Sequence, residues 1–280
     1  MKLFTSILFV ALFFTSSFAQ TQDQVQDNST NVVLQPQPQQ KRMITLTEDN
    51  HVVLRGAIDS LTTSNCIKDL LNVKSNEINI YLQSPGGSVI DGYKIIQTID
   101  ALANSGKTIN CIGDFAASMA FGIMQACPHR YCHQGSVLMQ HQMSGGLRGP
   151  LKNMKSLMNL LDELESDMTT RQAERLNMTE EDFVSKVDHD WWMFGQNIIN
   201  NNAADELINI VCEHALLEKT VKESIFTIFG TAEIEFSMCP VVSGPLKIKC
   251  ESNNTKQMYE LIDEKYNIHQ WITSLAQRTD

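Results

Sequence analysis

The chain has 280 residues, 42% of them hydrophobic and 19% charged, which is enough apolar material for a packed core. Its formal net charge of -10 argues against nucleic acid or an anionic membrane surface as a partner, because both require basic stripes.

Residues 1–19 read as a secretory signal. Lys2 supplies the positive start, Leu3 to Phe14 the apolar stretch, and Ser17-Phe18-Ala19 a small-residue cleavage site before Gln20. The apolar run is shorter than the ~20 residues wanted for a bilayer span, so a retained anchor is the lesser reading. The address expected is secreted or periplasmic rather than cytoplasmic, with no membrane span once the signal is removed. Seven cysteines agree with an oxidising compartment. Cys239 with Cys250 is the favoured pair, flanking the turn Ser243-Gly244-Pro245, and Cys127 with Cys132 comes next. Cys127 to His133 matches no standard zinc spacing, so no metal is expected there. Cys111, inside an apolar strand, reads as core.

Residues 20–42 are Gln-rich, carry Pro36 and Pro38, and read as a disordered linker. From Met43 an apolar pattern begins, with a strand over 51–54, a helix over 64–73 and a strand over 77–83. In that last strand Ile78, Ile80 and Leu82 alternate with Asn79, Tyr81 and Gln83. After Pro85-Gly86-Gly87 the spacing predicts a helix over 89–103, a strand over 108–112, a helix opening near Ser118 and a strand over 136–140. Such alternation implies a layered α/β fold with crossover connections. Pro150 then opens a long helix whose stripe runs through Leu151, Met154, Met158, Leu161, Leu164 and Met168. Thr179 reads as the cap of a short helix with Asp182 three positions on. Beyond Glu218 follow strands over 233–238 and 246–250 and an amphipathic helix from Lys256 to near Leu275.

One stretch carries chemistry. Gly113-Asp-Phe-Ala-Ala-Ser-Met-Ala120 places Ser118 between small residues where a buried strand gives way to a helix. A hydroxyl is a weak nucleophile and needs a base, an acid that orients the base, and oxyanion donors. His141 ends the strand Ser136 to Gln140, and Asp190 stands in Asp188-His-Asp-Trp-Trp-Met193. The amides of Gly87 and Met119 are candidate donors. Each residue also has a plainer reading: a tight turn at Gly86-Gly87, a helix cap at Ser118, a core histidine at His141. Asp188 and His189 are direct rivals beside Asp190.

The order of Tyr81-Leu-Gln-Ser-Pro-Gly-Gly87, Ala116-Ala-Ser-Met-Ala120, Met139-Gln-His-Gln142 and Asp190 resembles the proteolytic subunit family of the Clp protease. The resemblance covers about residues 43 to 215 and implies a catalytic domain over 43–218, with an extension over 219–280 that has no counterpart. It implies an α/β fold, a spiral of β-β-α units shared with the crotonases, with a long projecting handle helix from Leu151 and a handle strand over 145–149. It implies a serine endopeptidase with Ser118 as nucleophile, His141 as base and Asp190 as orienting acid, without cofactor or metal. The substrates expected are peptides or unfolded proteins, and the assembly expected is a homo-oligomeric ring. The family works with an ATP-driven unfoldase, which an exported member would lack; the chain has no phosphate-binding Gly-x-x-x-x-Gly-Lys loop of its own. The rival readings are a signal-peptide-peptidase-like enzyme with a lysine base, a crotonase-type acyl enzyme that needs no serine, and a non-catalytic scaffold.

Overall fold

The computed structural model describes residues 41–146, 148–252 and 254–266, all within one compact unit. The signal and nearly all of the linker expected over 1–42 lie outside the described residues, as does the end of the last helix. In chain order the elements are β1 (Met43–Leu46), β2 (His51–Arg55), α1 (Ser60–Asn72), β3 (Glu77–Ser84), α2 (Val89–Asn104), β4 (Thr108–Ala117) and α3 (Met119–Ala126). Then come β5 (His129–Gln140), α4 (Leu151–Leu176), α5 (Glu180–Val187), β6 (Trp191–Phe194), α6 (Gln196–Asn200), β7 (Glu206–Leu207), β8 (Asn209–Cys212) and α7 (His214–Leu217). The extension adds β9 (Thr220–Thr227), β10 (Gly230–Ser237), β11 (Pro245–Ser252) and α8 (Thr255–Tyr266).

The central sheet runs β2-β3-β4-β5-β6. Its first four strands are parallel, β6 is antiparallel, and β7 adds to β5. Parallel neighbours need crossovers, and α1, α2 and α3 supply them. The α/β layering expected from the sequence is therefore present. Ile78, Ile80 and Leu82 face the helices in the main core. On the opposite face Tyr81 and Ile112 pack with Ile44, Leu46 and Ile208. Tyr81, Asn79 and Gln83 are buried as well, against the one-sided exposure that their alternation suggests. A parallel sheet covered on both faces hides both sets of side chains.

Three local expectations are corrected. First, α1 begins at Ser60, because Asp59 accepts from the amides of Leu61 and Thr62 while the Thr62 hydroxyl receives the Asp59 amide, a capping box without the usual Glu. Second, the described residues of 145–149 form no strand in the single chain, and a Cβ on Gly145 or Gly146 would stand in open space. Third, the cystines are Cys111–Cys127 and Cys212–Cys239, with Cα separations of 5.9 and 5.8 Å, inside the usual window. Cys250 stands opposite Ala232 within the β10–β11 ladder whereas Cys239 lies past the end of β10, so the hairpin register holds them apart. Cys66, Cys132 and Cys250 are free.

Helix α4 is as long as expected, but its stripe is not uniformly covered. Met168 and Leu176 are buried, while Leu151, Leu157, Met158 and Leu160 stay exposed at the other end. Thr179 caps α5 through Asp182. In the extension, β9, β10 and β11 form a separate antiparallel sheet whose Ala232, Ile234 and Phe236 pack on Met258 and Ile262 of α8. No described helix is long and apolar enough to cross a membrane.

Candidate active site

Strand β4 stops at Ala117, α3 starts at Met119, and Ser118 makes the turn between them at φ 53°, ψ -123°. A side chain at positive φ costs on the order of 1–3 kcal/mol and persists only where its surroundings enforce it. Here the Ser118 amide donates to the Met139 carbonyl at 2.9 Å, and the Ser118 carbonyl accepts from Gly122 at 3.2 Å. Gly86 presses on the same turn, since a Cβ there would lie 2.6 Å from the Ser118 Cβ. The small residues around Ser118 permit this packing: a Cβ on Gly122 would stand 2.3 Å from the Met168 terminal carbon on α4.

His141 follows directly on β5, two residues past the carbonyl that receives the Ser118 amide. Its Nε2 lies 2.9 Å from Ser118 Oγ. Its amide donates to the Gln140 side chain at 3.1 Å, and Gln140 in turn donates to Gln172 on α4. Those glutamines fix where the strand ends. The Gln142 amide donates to the Val187 carbonyl at 3.0 Å, which draws the segment after α5 towards the histidine. Asp190 thereby comes within 3.9 Å of His141, measured from Oδ1 to Nδ1. That is an ion-pair distance longer than a direct hydrogen bond.

One expectation about this carboxylate is corrected. Trp191 and Trp192 do not bury it, for the Asp190 side chain remains 39% exposed. Trp191 lies under the Lys186 ammonium, 4.9 Å from the ring centre, and Trp192 packs with Phe115 and Met139 on the far side of β5. Asp188 and His189, the rivals in sequence, are strongly exposed and face one another at 3.8 Å. His133 is engaged by Asp114 at 2.7 Å. Of the histidines that the structure describes, His141 is the one whose ring reaches Ser118.

The glycine turn after β3 is held on three sides. Gly86 donates to Ser84 Oγ at 3.1 Å, Ile58 donates to the Gly86 carbonyl at 2.8 Å, and Ser88 donates to the Ile58 carbonyl at 2.8 Å. In this parallel bridge Ile58 uses the groups on either side of Gly87, so the Gly87 amide itself points the other way. Gly87 lines the cavity. Gly87 sits at φ 145°, and a Cβ there would lie 2.4 Å from the Ile58 carbonyl oxygen, which no side chain tolerates. Met119 occupies the first turn of α3, where an amide has no acceptor within the helix. Sequence reasoning passed over Ile58 and Gln140. Ile58 carries no motif of its own, whereas Gln140 adjoins His141 in Met139-Gln-His-Gln142.

These groups open on one cavity of about 740 Å3. Ser118, His141, Gly87 and Met119 line it together with Met168 and Phe183. A nucleophile, a base and two backbone donors beside an apolar recess suit attack on a carbonyl held in that recess. No group of three potential metal ligands occurs among the described residues. Burial pushes the thiols of Cys66 and Cys132 up to about 12, so both stay protonated and inert. A family model described as Clp protease matches residues 36–210 of the chain.

Proposed function

The chain belongs to the Clp protease family, and from that premise we propose that it is a serine endopeptidase acting on peptides or unfolded proteins. The observation that carries the reading is the 2.9 Å contact between Ser118 Oγ and His141 Nε2 at the mouth of the cavity. His141 takes the hydroxyl proton as Ser118 attacks the peptide carbonyl, then returns it to the leaving amine. Asp190 orients the imidazole and stabilises its charged form. The 3.9 Å separation tightens on substrate binding, as catalytic contacts of ligand-free sites do.

The tetrahedral intermediate carries a negative oxygen, which the amides of Gly87 and Met119 receive. A single such donor is worth about 3 kcal/mol in the transition state. The start of α3 adds a favourable dipole for that charge. No lysine is among the described residues lining the cavity, which disfavours a lysine-base peptidase. A crotonase-type enzyme would leave the Ser118–His141 contact without purpose.

Assembly and address complete the reading. The exposed apolar end of α4 supports a homo-oligomeric ring that encloses the sites. The N-terminal signal pattern and the two cystines support an exported enzyme that works without an ATP-driven unfoldase. A fluorophosphonate probe tests the core of the proposal. Ser118 of the wild type should be labelled and peptide hydrolysis lost together, and Ser118→Ala should remove both while keeping the fold. Hydrolysis within tenfold of wild type in Ser118→Ala would refute the nucleophile.

A further inference from the structure

The extension over 219–266 meets the catalytic domain around one buried cation. Arg55, the last residue of β2, is 8% exposed. Its guanidinium lies over the Phe236 ring of β10 at 4.2 Å and 4.0 Å from Glu223 of β9. The Tyr266 hydroxyl, at the end of α8, donates to Glu223 at 2.6 Å, and the Tyr266 ring leans on Phe236 at 5.1 Å. A Cβ on Gly56 would stand 3.3 Å from the Lys265 carbonyl, so α8 also abuts the backbone that follows Arg55. The Arg55 Nη2 has no hydrogen-bond partner. Burial lowers the pKa of Arg55, and Glu223, Tyr266 and Tyr81 oppose that shift. Holding an arginine in such a place is costly unless the surrounding charge and ring are present.

The same side chain reaches the strand that leads to the glycine turn. Arg55 Nε donates to Gln83 Oε1 at 3.3 Å, and the Gly56 amide donates to the Gln83 carbonyl at 2.9 Å. Gln83 spends its own amide group on Asp114 at 2.8 Å and on the carbonyl of Pro240, another residue of the extension, at 3.1 Å. Gln83 precedes Ser84, whose hydroxyl holds Gly86. Three residues past Arg55, Ile58 bridges Gly87. Asp114 lies on β4, the strand that leads into Ser118. Arg55 and Gly56 thus bond Gln83, one residue before the Ser84 that holds Gly86, and Arg55 lies three residues before the Ile58 that bridges Gly87.

We propose that the extension is a positioning element for the oxyanion donors, acting through Arg55 and Gln83 on the turn that carries Gly87. The inference rests on the serine-peptidase reading above. Arg55 touches neither substrate nor nucleophile, so it positions rather than catalyses. Its loss should lower turnover and spare substrate affinity, because oxyanion donors act on the transition state.

The decisive variant is Glu223→Gln with Tyr266→Phe, which removes a charge and a hydroxyl on the extension's side and leaves the core side chains in place. On a small peptide ester kcat should fall about tenfold with KM within about twofold, part of the about 10²–10³ lost when an oxyanion donor is deleted outright. Arg55→Met should fall further, and Arg55→Lys should recover part of the loss. A folded double variant with wild-type kcat, or one whose loss lies wholly in KM, would overturn the inference. An inactive wild type that no fluorophosphonate labels would instead refute the peptidase reading. The two failures are therefore distinct.

Discussion

Gly86 and Ser118 stand so close that no atom fits between them: a methyl group on the glycine would lie 2.6 Å from the serine Cβ and 2.8 Å from the Met119 amide nitrogen. Gly86 also sits at φ 91°, outside the comfort of other residues. Gly86→Ala must therefore move the turn that aims the hydroxyl. A misplacement of this kind costs about 10² in turnover. Steady-state kinetics on a variant with wild-type circular dichroism checks it, and an unchanged rate would mean that the contact is idle.

In the proposed mechanism His141 must be neutral to accept a proton from Ser118. Activity should therefore fall on the acid side, within the range of about pH 5 to 8 where an imidazole changes charge. Protonated His141 has no lone pair left at Nε2. A kcat/KM profile on a small ester that stays flat across this range, with the protein still folded, would count against His141.

Met158 is 52% exposed on α4 and sits among Leu151, Leu157 and Leu160, which are exposed too. If that end of the helix is covered by another subunit, Met158→Glu buries an unpaired carboxylate at the interface, at a cost of several kcal/mol. Sedimentation should then show smaller particles than the wild type gives. A variant that assembles normally would place the interface elsewhere.

The Asp205 carboxylate accepts from the Arg130 guanidinium at 2.6 and 3.1 Å and from the Arg130 backbone amide at 2.8 Å. Burial raises the carboxyl pKa, but the hydrogen bonds and charge of Arg130, aided by Arg175, outweigh burial and leave it depressed. A depressed folded pKa stabilises the protein above the ordinary carboxylate value and stops doing so as pH falls through the folded one. Stability should thus decline below about pH 4, and Asp205→Asn should flatten that decline. Urea midpoints from pH 2 to 6 measure it; equal slopes for variant and wild type would remove Asp205 from the account.

Much of the central domain was legible because its signals are local. Helical spacing from Val89, a cap at Thr179 and a proline before Leu151 each act within a few residues, and the elements begin where those residues place them. What escaped depends on partners distant in sequence. Strand β9 sets the adjacent charges Lys222 and Glu223 between Val221 and Ile225 without a clean apolar alternation, and its pairing with β10 holds it in place. The cystine partners of Cys127 and Cys239 follow from how separate elements pack, since Cys127 caps the end of α3 and Cys239 lies past β10. At the site, motif order pointed to Ser118 and His141. It did not show that Asp190 stays half-open to water, because the two tryptophans turn their rings to Lys186 and to Phe115.

The hydrogen bond from the Ser118 amide to the Met139 carbonyl has a mechanical consequence. It ties the backbone of the serine to the strand that ends in the histidine, within two residues of it. A shift of β5 at Met139 is thus felt by both backbones. Asp190 hangs on a separate segment that answers to α5 through Val187 and Gln142. In the proposed triad the looser member is therefore Asp190, whose distance from the imidazole answers to the placing of α5.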